Sequence, residues 1–254
     1  MPRLLPPRKT VNLSESFQRR LNMYASAASA AGVSVLALAG ASEAKVVYTK
    51  THQVTRAGFP LYIDLNHDGI KDFVLRTMFY VGSGYTEVGL NASGYPPGNI
   101  NNAVAGKHLA YSGYFVSAAS ALRAGARIGS KGQFSVNFPF MAVEDFKRDV
   151  PSSQYSDLGS WAGKGKGVSN RYLGLKFVVH GKVHYGWARL SVRLGHHRQY
   201  DDVSGTLTGY AYETVPNKSI IAGKTKGPDV ITVQSDTAHD ALGRLALGKE
   251  VTHW

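Results

Sequence analysis

The chain has 254 residues and a formal net charge of +12, from 29 lysines and arginines against 17 aspartates and glutamates. At this length it can bury a full-size hydrophobic core, so intrinsic disorder is not expected. It contains no cysteine, which excludes disulfides, thiolate zinc sites, iron–sulfur clusters and a cysteine nucleophile. With 28 glycines, 14 tyrosines and only 18% charged residues, the composition favours a turn-rich β protein over a helical bundle.

The first 44 residues have the organisation of a secretory signal. Residues 1–24 carry five basic side chains and one acid, and residues 25–41 are uncharged and small or apolar. Small residues then occupy the −3 and −1 positions for cleavage before Lys45. We therefore expect export to the periplasm, the cell surface or the medium, with no transmembrane segment after cleavage. An uncleaved membrane anchor and a twin-arginine signal at Arg19-Arg20 are the alternatives. Cleavage leaves 24 basic and 15 acidic residues, a net charge of +9.

Short runs of β-branched and aromatic residues predict strands along the mature chain. Such runs cover residues 46–48, 61–63, 73–75 and 133–140. The clearest pattern lies between residues 171 and 213, where two long alternating runs flank a turn at residues 180–182 and a third strand follows. Three consecutive strands with short connections predict an antiparallel meander.

A meander with one apolar face needs a second layer to cover it. We therefore expect a mainly β fold, an antiparallel and jelly-roll-like β-sandwich over residues 45–226, followed by a C-terminal tail, residues 227–254. One or two short helices are expected as well, at residues 117–126 and 237–247.

Two glycine-containing segments are predicted to be surface loops. The first, residues 82–102, is rich in Gly, Asn, Tyr and Pro. The second, residues 159–167, has Trp161 between glycines and lysines.

Residues 64–72 read D-x-N-x-D-G-x-x-D, a spacing that brings oxygen atoms at positions 1, 3 and 5 to one cation when the backbone wraps around it. Gly69 allows the sharp turn. An oxygen-only donor set suits Ca²⁺ better than Mg²⁺, which requires a tighter octahedron. The proposed ligands are the side chains of Asp64, Asn66, Asp68 and Asp72 and the backbone carbonyl of Ile70.

The loop differs from an EF-hand, because Leu75 stands at position 12 where an EF-hand has glutamate. The alternative is an Asx-rich turn that holds no ion. Three acids within nine residues would repel one another without a cation, so the sequence favours a structural Ca²⁺ site.

The candidates for catalysis are weaker. His180 and His184 flank a turn and would need a third ligand to hold a transition metal, and His196-His197 read as a loop. Among the acids, Glu144, Asp145 and Asp149 would provide a carboxylate pair for glycoside hydrolysis, but a solvated charged face is the commoner outcome. The chain has no G-x-S-x-G, P-loop or H-E-x-x-H motif.

A binding surface is the other possibility. If one face of adjacent strands carries Trp187, Arg189, Tyr210 and Tyr212, exposed aromatic rings there would stack on sugars; packing under a loop or second sheet is the alternative. The cations are spread along the chain without a stripe, and the export signal argues against nucleic acid as a partner. Weak adhesion to an anionic polysaccharide or another cell-envelope component is the milder inference.

Several segments together resemble a group of uncharacterised bacterial secreted proteins: DLNHDGIKDF, NRYLGLKFVVHGKVHYGWARLSV, GTLTGYAYETVPNKSIIAGK and LGRLALG. That group is related, through a Y-x-G-x-x-F…YGW-x-R-x-S…YAYE β-core, to exported proteins with C-terminal sorting tags. The resemblance spans residues 25–248 and implies export, a β-sandwich-like body and a calcium loop. Residues 242–248 echo the start of a sorting tag, whereas residues 249–254 supply neither an apolar span nor a basic stop.

The sequence thus predicts a secreted or cell-surface, calcium-stabilised β-sandwich that acts as a binding or structural module, with carbohydrate as the first ligand class to consider. A secreted polysaccharide-active hydrolase is the alternative.

Overall fold

The computed structural model describes residues 45–83, 85–111, 114–136, 139–147, 154–195 and 203–234. The signal sequence, His196-His197 and the helix expected at residues 237–247 lie outside these ranges. Residues 67–69 are grouped apart from the other described residues, which form one compact unit.

The described residues fold as β-strands, so the expected mainly β class is confirmed. In chain order the strands are β1 (Val46–Thr55), β2 (Leu61–Ile63), β3 (Phe73–Gly82), β4 (Tyr85–Gly94), β5 (Ala103–Tyr111), β6 (Tyr114–Ala119), β7 (Arg127–Ile128), β8 (Phe134–Ser135), β9 (Phe140–Lys147), β10 (Gln154–Leu158), β11 (Val168–Val179), β12 (Lys182–Leu194), β13 (Val203–Glu213), β14 (Ile220–Ile221) and β15 (Val230–Gln234).

No helix occurs in the described ranges, and hence none there is long and apolar enough to cross a membrane. The helix expected at residues 117–126 was wrong, because residues 117–119 belong to β6 and the following residues form a loop.

Thirteen of the described strands join one mixed sheet in the order β15-β1-β13-β12-β11-β5-β6-β9-β4-β3-β2, with β10 on β9 and β8 on β5. Most pairs are antiparallel, but β15 runs parallel to β1 and β6 parallel to β9. The small strands β7 and β14 pair with each other in a second sheet.

The large sheet curls back on itself at β5. The start of β5 pairs with β11 at Val104, and its remainder pairs with β6 from Gly106 onwards. The half that ends in β2 then packs over one face of the half that contains β11, β12 and β13. Phe73 of β3 meets Phe177 of β11 across this interior, with ring centroids 6.4 Å apart. The two layers are therefore parts of one continuous sheet, and the expected sandwich of two separate antiparallel sheets is not confirmed.

The predicted meander is confirmed in detail. Strands β11 and β12 pair from Arg171↔Leu190 to Val179↔Lys182, and β13 follows on the other side of β12. The connection has two residues, His180 and Gly181, at φ 49° and 76°. Positive φ at both positions matches the right-handed twist of a tight hairpin.

Of the two expected surface loops, one contains a long strand and the other is a loop with a buried residue. The segment 82–102 contains β4, which lies between β3 and β9 in the sheet. Its inward positions are Thr86, Val88, Leu90 and Ala92, all buried. The segment 159–167 is a loop, as expected, but its Trp161 side chain is fully buried, and the backbone N–H of Trp161 donates to the carbonyl of Met141 at 3.2 Å. The sheet also extends beyond the expected boundary at residue 226, because β15 adds five residues to its edge.

Phe177 gives a direct test of the interior between the two halves of the sheet. It is fully buried and packs against Phe73, His184 and Tyr212. Phe177→Ala should lower the free energy of unfolding by about 3–5 kcal/mol in urea titrations, through lost burial and the cavity left behind. Phe115→Ala is the matched control: this side chain is 80% exposed, so its loss should stay within about 0.5 kcal/mol. Equal losses in the two variants would contradict the layering described above.

Candidate functional site

The loop between β2 and β3 carries the predicted calcium ligands, and Asp72 holds it closed. The Asp72 N–H donates to the carbonyl of Ile63 at 2.8 Å, and the Asp72 Oδ2 accepts the Leu65 N–H at 2.7 Å. Both bonds join the two ends of the loop. Asp72 is therefore buried for a structural reason that exists without any ion.

Asp72 also ties the loop to the rest of the sheet. Its carbonyl accepts hydrogen bonds from the Tyr95 N–H at 2.8 Å and from the Asn102 Nδ2 at 3.0 Å. The Asn102 Oδ1 in turn accepts the Val178 N–H of β11 at 3.3 Å. One residue of the loop is thus linked through Asn102 to the opposite half of the sheet.

Leu65 anchors the loop over the interior. It is fully buried, and its Cδ2 lies 2.9 Å from the position a Cβ on Gly186 would occupy. Only glycine at residue 186 allows this close approach of loop to strand. Asn66, the next residue, is also buried.

Residues 67–69 include the sharp turn that the glycine of the motif allows. His67 lies at φ 62° and Gly69 at φ 88°, both in the left-handed region. A Cβ at Gly69 would meet no atom within 4 Å, so the constraint there is conformational rather than steric. Asp68 is exposed.

Tyr210 reports the electrostatic field beneath the loop. Burial raises the pKa of this tyrosine above its ordinary value, and the negative charges of Asp64 and Asp72 raise it further, whereas a hydrogen bond with Thr49 opposes the rise. Two carboxylates of the motif therefore act on one buried hydroxyl of β13.

No group of three His, Cys, Asp or Glu side chains comes together as a metal site in the described ranges. Calcium also takes amide and backbone carbonyl oxygens, and the motif supplies these through Asn66 and Ile70. The donor set is thus all oxygen, and its chemistry fits Ca²⁺. Its geometry fits a closed turn equally well.

The expected aromatic binding face was wrong. Trp187 is opposite Ala211 in the β12–β13 register, so Tyr210 and Tyr212 lie on the other face of the sheet. All three rings are buried. Trp187 packs between Tyr48 and Tyr172, and Tyr212 packs against Phe177.

Arg189 is also committed to internal contacts. Its Nε donates to the Thr208 Oγ1 at 2.7 Å, and one terminal nitrogen donates to the Thr208 carbonyl and the Tyr48 hydroxyl. These residues match the alternative considered from the sequence, in which the side chains pack under a loop or second sheet. None of them provides a platform for sugar stacking.

The histidine pair does not form. His184 is opposite Phe177 in the register, whereas His180 occupies the turn. The Nδ1 of His184 hydrogen-bonds the Glu213 carbonyl at 2.9 Å, and its ring packs against Phe177 and Tyr212. His184 is a buried structural histidine.

The structure describes one side chain of the acidic run, that of Glu144, and this carboxylate is not open to solvent. Glu144 lies in β9, directly opposite Asp157 of β10, and is only 2% exposed. Asp145 follows it in β9, and Asp149 lies outside the described residues. A buried glutamate at this position is not accessible to a polysaccharide chain.

The structure reveals a groove that the sequence did not indicate. It has a volume of about 500 Å³ and is lined by nine described residues, none of them acidic. Arg56, Lys166 and Arg193 contribute three cations, and four hydroxyl side chains, Ser191 and Thr206 among them, lie with them. The groove is on the face of β12 and β13 that carries Trp187, further along the strands.

Strand register explains how this groove forms. Thr206 of β13 pairs with Val54 of β1 on one side and with Ser191 of β12 on the other. Two residues along, Ser204 pairs with Arg193. The sheet therefore brings side chains of β1, β12 and β13 to one place, and Lys166 and Ser169 lie beside them.

Comparison with known proteins gives no further guidance: no protein-family model matches the chain, and no curated protein or solved structure matches it significantly. The resemblance to bacterial secreted proteins stays a prediction.

Asp72→Ala tests the structural role of the loop. The substitution removes the acceptor of the Leu65 N–H, which is then buried without its partner. We expect the free energy of unfolding to fall by about 1–3 kcal/mol in calcium-free buffer. Asp68→Ala, at an exposed position of the same loop, should change it by less than about 0.5 kcal/mol. If Asp72→Ala proves as mild as Asp68→Ala, Asp72 does not hold the loop closed.

Proposed function

We propose that this protein is an exported β-sheet module stabilised by Ca²⁺, which binds a ligand or supports a structure rather than catalysing a reaction. Ca²⁺ would be held by the side chains of Asp64, Asn66, Asp68 and Asp72 and by the Ile70 carbonyl. The ion would neutralise three acids and fix the loop over the interior. The ligand class to test first is carbohydrate of the cell envelope or its surroundings.

The observation that carries the calcium proposal is the closed β2–β3 loop. Asp72 is buried and bonds the Ile63 carbonyl and the Leu65 N–H, which brings the two ends of the acidic motif together. Asp64 and Asp72 also contribute to the raised pKa of the buried Tyr210 hydroxyl. Two carboxylates near one partly desolvated point repel each other, and a bound divalent cation removes that cost. The left-handed His67 and Gly69 support the same proposal from the backbone.

Support for a binding module over a hydrolase comes from the surface. The groove is lined by cations and hydroxyl groups, whereas Glu144 is buried in the sheet. General acid–base work on a glycosidic bond needs two carboxyl groups that flank the bond. The groove has none among its described lining residues.

Calcium should raise the melting temperature. At a free concentration 100 times the dissociation constant, a ligand that binds only the native state adds about 2.7 kcal/mol, or roughly 5–10 °C for a domain of this size. Asp68→Ala should abolish the increase without lowering the melting temperature in EDTA. The control, Asp229→Ala, removes an acid that pairs with Lys224 on the surface and should respond to calcium as the unmodified protein does. An unchanged melting curve in EDTA and in calcium would refute the site.

Export gives a second test. Expressed with its full N-terminus in a bacterium, the protein should leave the cytoplasm and begin at Lys45, as shown by intact mass and N-terminal sequencing. Ala44→Tyr places a bulky side chain at the −1 position and should block processing. Lys45→Gln, one residue later, should be processed normally. Recovery of unprocessed protein from the cytoplasm in all three cases would contradict the export proposal.

A further inference from the structure

The groove between Arg56, Lys166 and Arg193 has three cations and, among the described residues that line it, no acid. In the part of the chain that the structure describes, Lys218 pairs with Glu213 and Lys224 with Asp229. No such pair involves the three groove cations within those ranges, and no acid is among the nine lining residues. Three like charges around one depression raise its potential and favour an anion inside it.

The surroundings of each cation favour a ligand with both charge and hydroxyl groups. Arg56 lies over the ring of Phe59 at 4.8 Å, a contact that limits the positions of the guanidinium without neutralising it. Arg193 and Ser204 are paired across β12 and β13, beside the Thr206–Ser191 pair. Planar guanidinium groups bind carboxylate and sulfate oxygens bidentately, and neighbouring serine and threonine hydroxyls both donate and accept hydrogen bonds.

The volume of the groove and its access to solvent are suitable for one saccharide unit of a polymer. A volume of about 500 Å³ lies within the range of small-ligand sites, about 300–1,000 Å³. The groove is open to solvent, so one unit of a longer chain can enter it. Single-stranded nucleic acid is disfavoured, because recognition of its bases needs aromatic platforms and the described lining residues include no aromatic ring.

We propose that this groove binds an anionic polysaccharide, with carboxylate or sulfate groups held by Arg56, Lys166 and Arg193 and sugar hydroxyls held by Ser191, Ser204 and Thr206. The inference rests on the proposed binding function and assigns it a site and a ligand class. Binding depends on surface charges, so it weakens as the salt concentration rises.

The test measures binding of the whole mature protein to polygalacturonate, dextran sulfate and uncharged dextran by biolayer interferometry at low salt. Either or both of the charged polymers should bind, and uncharged dextran should not. The carboxylated and sulfated probes distinguish the two kinds of anionic group. The triple variant Arg56→Gln, Lys166→Gln, Arg193→Gln should weaken binding by about tenfold or more, the combined effect of three exposed charge contacts.

The matched control removes the same number of charges elsewhere. Arg123, Lys131 and Lys182 are exposed and lie in other segments; their change to glutamine should alter binding by less than about threefold, since distant exposed charges are screened. Equal weakening by both triple variants would overturn the groove assignment, as would the absence of binding to either charged polymer. Binding of a DNA duplex as tight as that of the polysaccharides would overturn the ligand class.

A second measurement uses only the unmodified protein, so it remains informative if the triple variant does not fold. Acetylation of lysines in the unmodified protein, read by mass spectrometry, should show Lys166 protected by the bound polymer and Lys131 and Lys182 unprotected. Lack of protection at Lys166 would overturn the proposal. The calcium-dependent melting temperature, measured on the same samples, reports separately on the proposed calcium-stabilised module, so a failure of the groove is not mistaken for a failure of that module.

Discussion

The hydrogen bonds of Asp72 and Asn102 join parts of the chain that are otherwise distant. Asp72 closes the β2–β3 loop through Ile63 and Leu65, and its carbonyl accepts the Asn102 amide, whose oxygen receives the Val178 N–H. Both Asp72 and Asn102 are buried, so each of these bonds replaces water that cannot reach the groups. The loop is therefore part of the interior and not an appendage of it.

This connection explains why a calcium site at the loop would matter for the whole fold. The curled sheet has no disulfide, and its two halves are held by packing such as Phe73 against Phe177. The loop places Leu65 against Gly186 of β12 and Asp72 within reach of Asn102. An ion that orders the loop would stabilise those contacts as well, because they all belong to one cooperative unit.

The sequence predicted those elements whose patterns are local. The alternation between residues 171 and 213 and the two-residue turn at His180-Gly181 are sufficient to specify the meander. Strand β4 was missed because Gly89, Asn91 and Gly94 are typical turn residues and obscure the alternating inward positions. Its neighbours in the sheet are β3, of which the sequence predicted only residues 73–75, and β9, which begins about 45 residues after β4 ends. Propensity is a weak guide for a strand surrounded by others.

The same distinction applies to the sites. The D-x-N-x-D-G-x-x-D loop is contiguous, so its residues could be named from the sequence. The predicted aromatic face failed because its membership depends on register: one residue of offset moves Tyr210 and Tyr212 to the face opposite Trp187. The groove could not be found at all from the sequence. Arg56 reaches it only through the pairing of β1 with β13, which joins residues about 150 positions apart.

The positions of the charges in the fold are more informative than the net charge of the chain. In the linear sequence the lysines and arginines are scattered, and a net charge of +9 after cleavage would indicate only a soluble, weakly adhesive surface. The fold separates the charges instead: three acids of the motif belong to one loop, while three cations from distant segments gather in one groove without an acidic residue among its described lining. A divalent cation would balance the acids of the loop, and a polyanion would balance the cations of the groove. The two proposed ligands have opposite charge and would be held by different residues. A protein that bound calcium at the loop would therefore keep its groove cations for an anionic polymer.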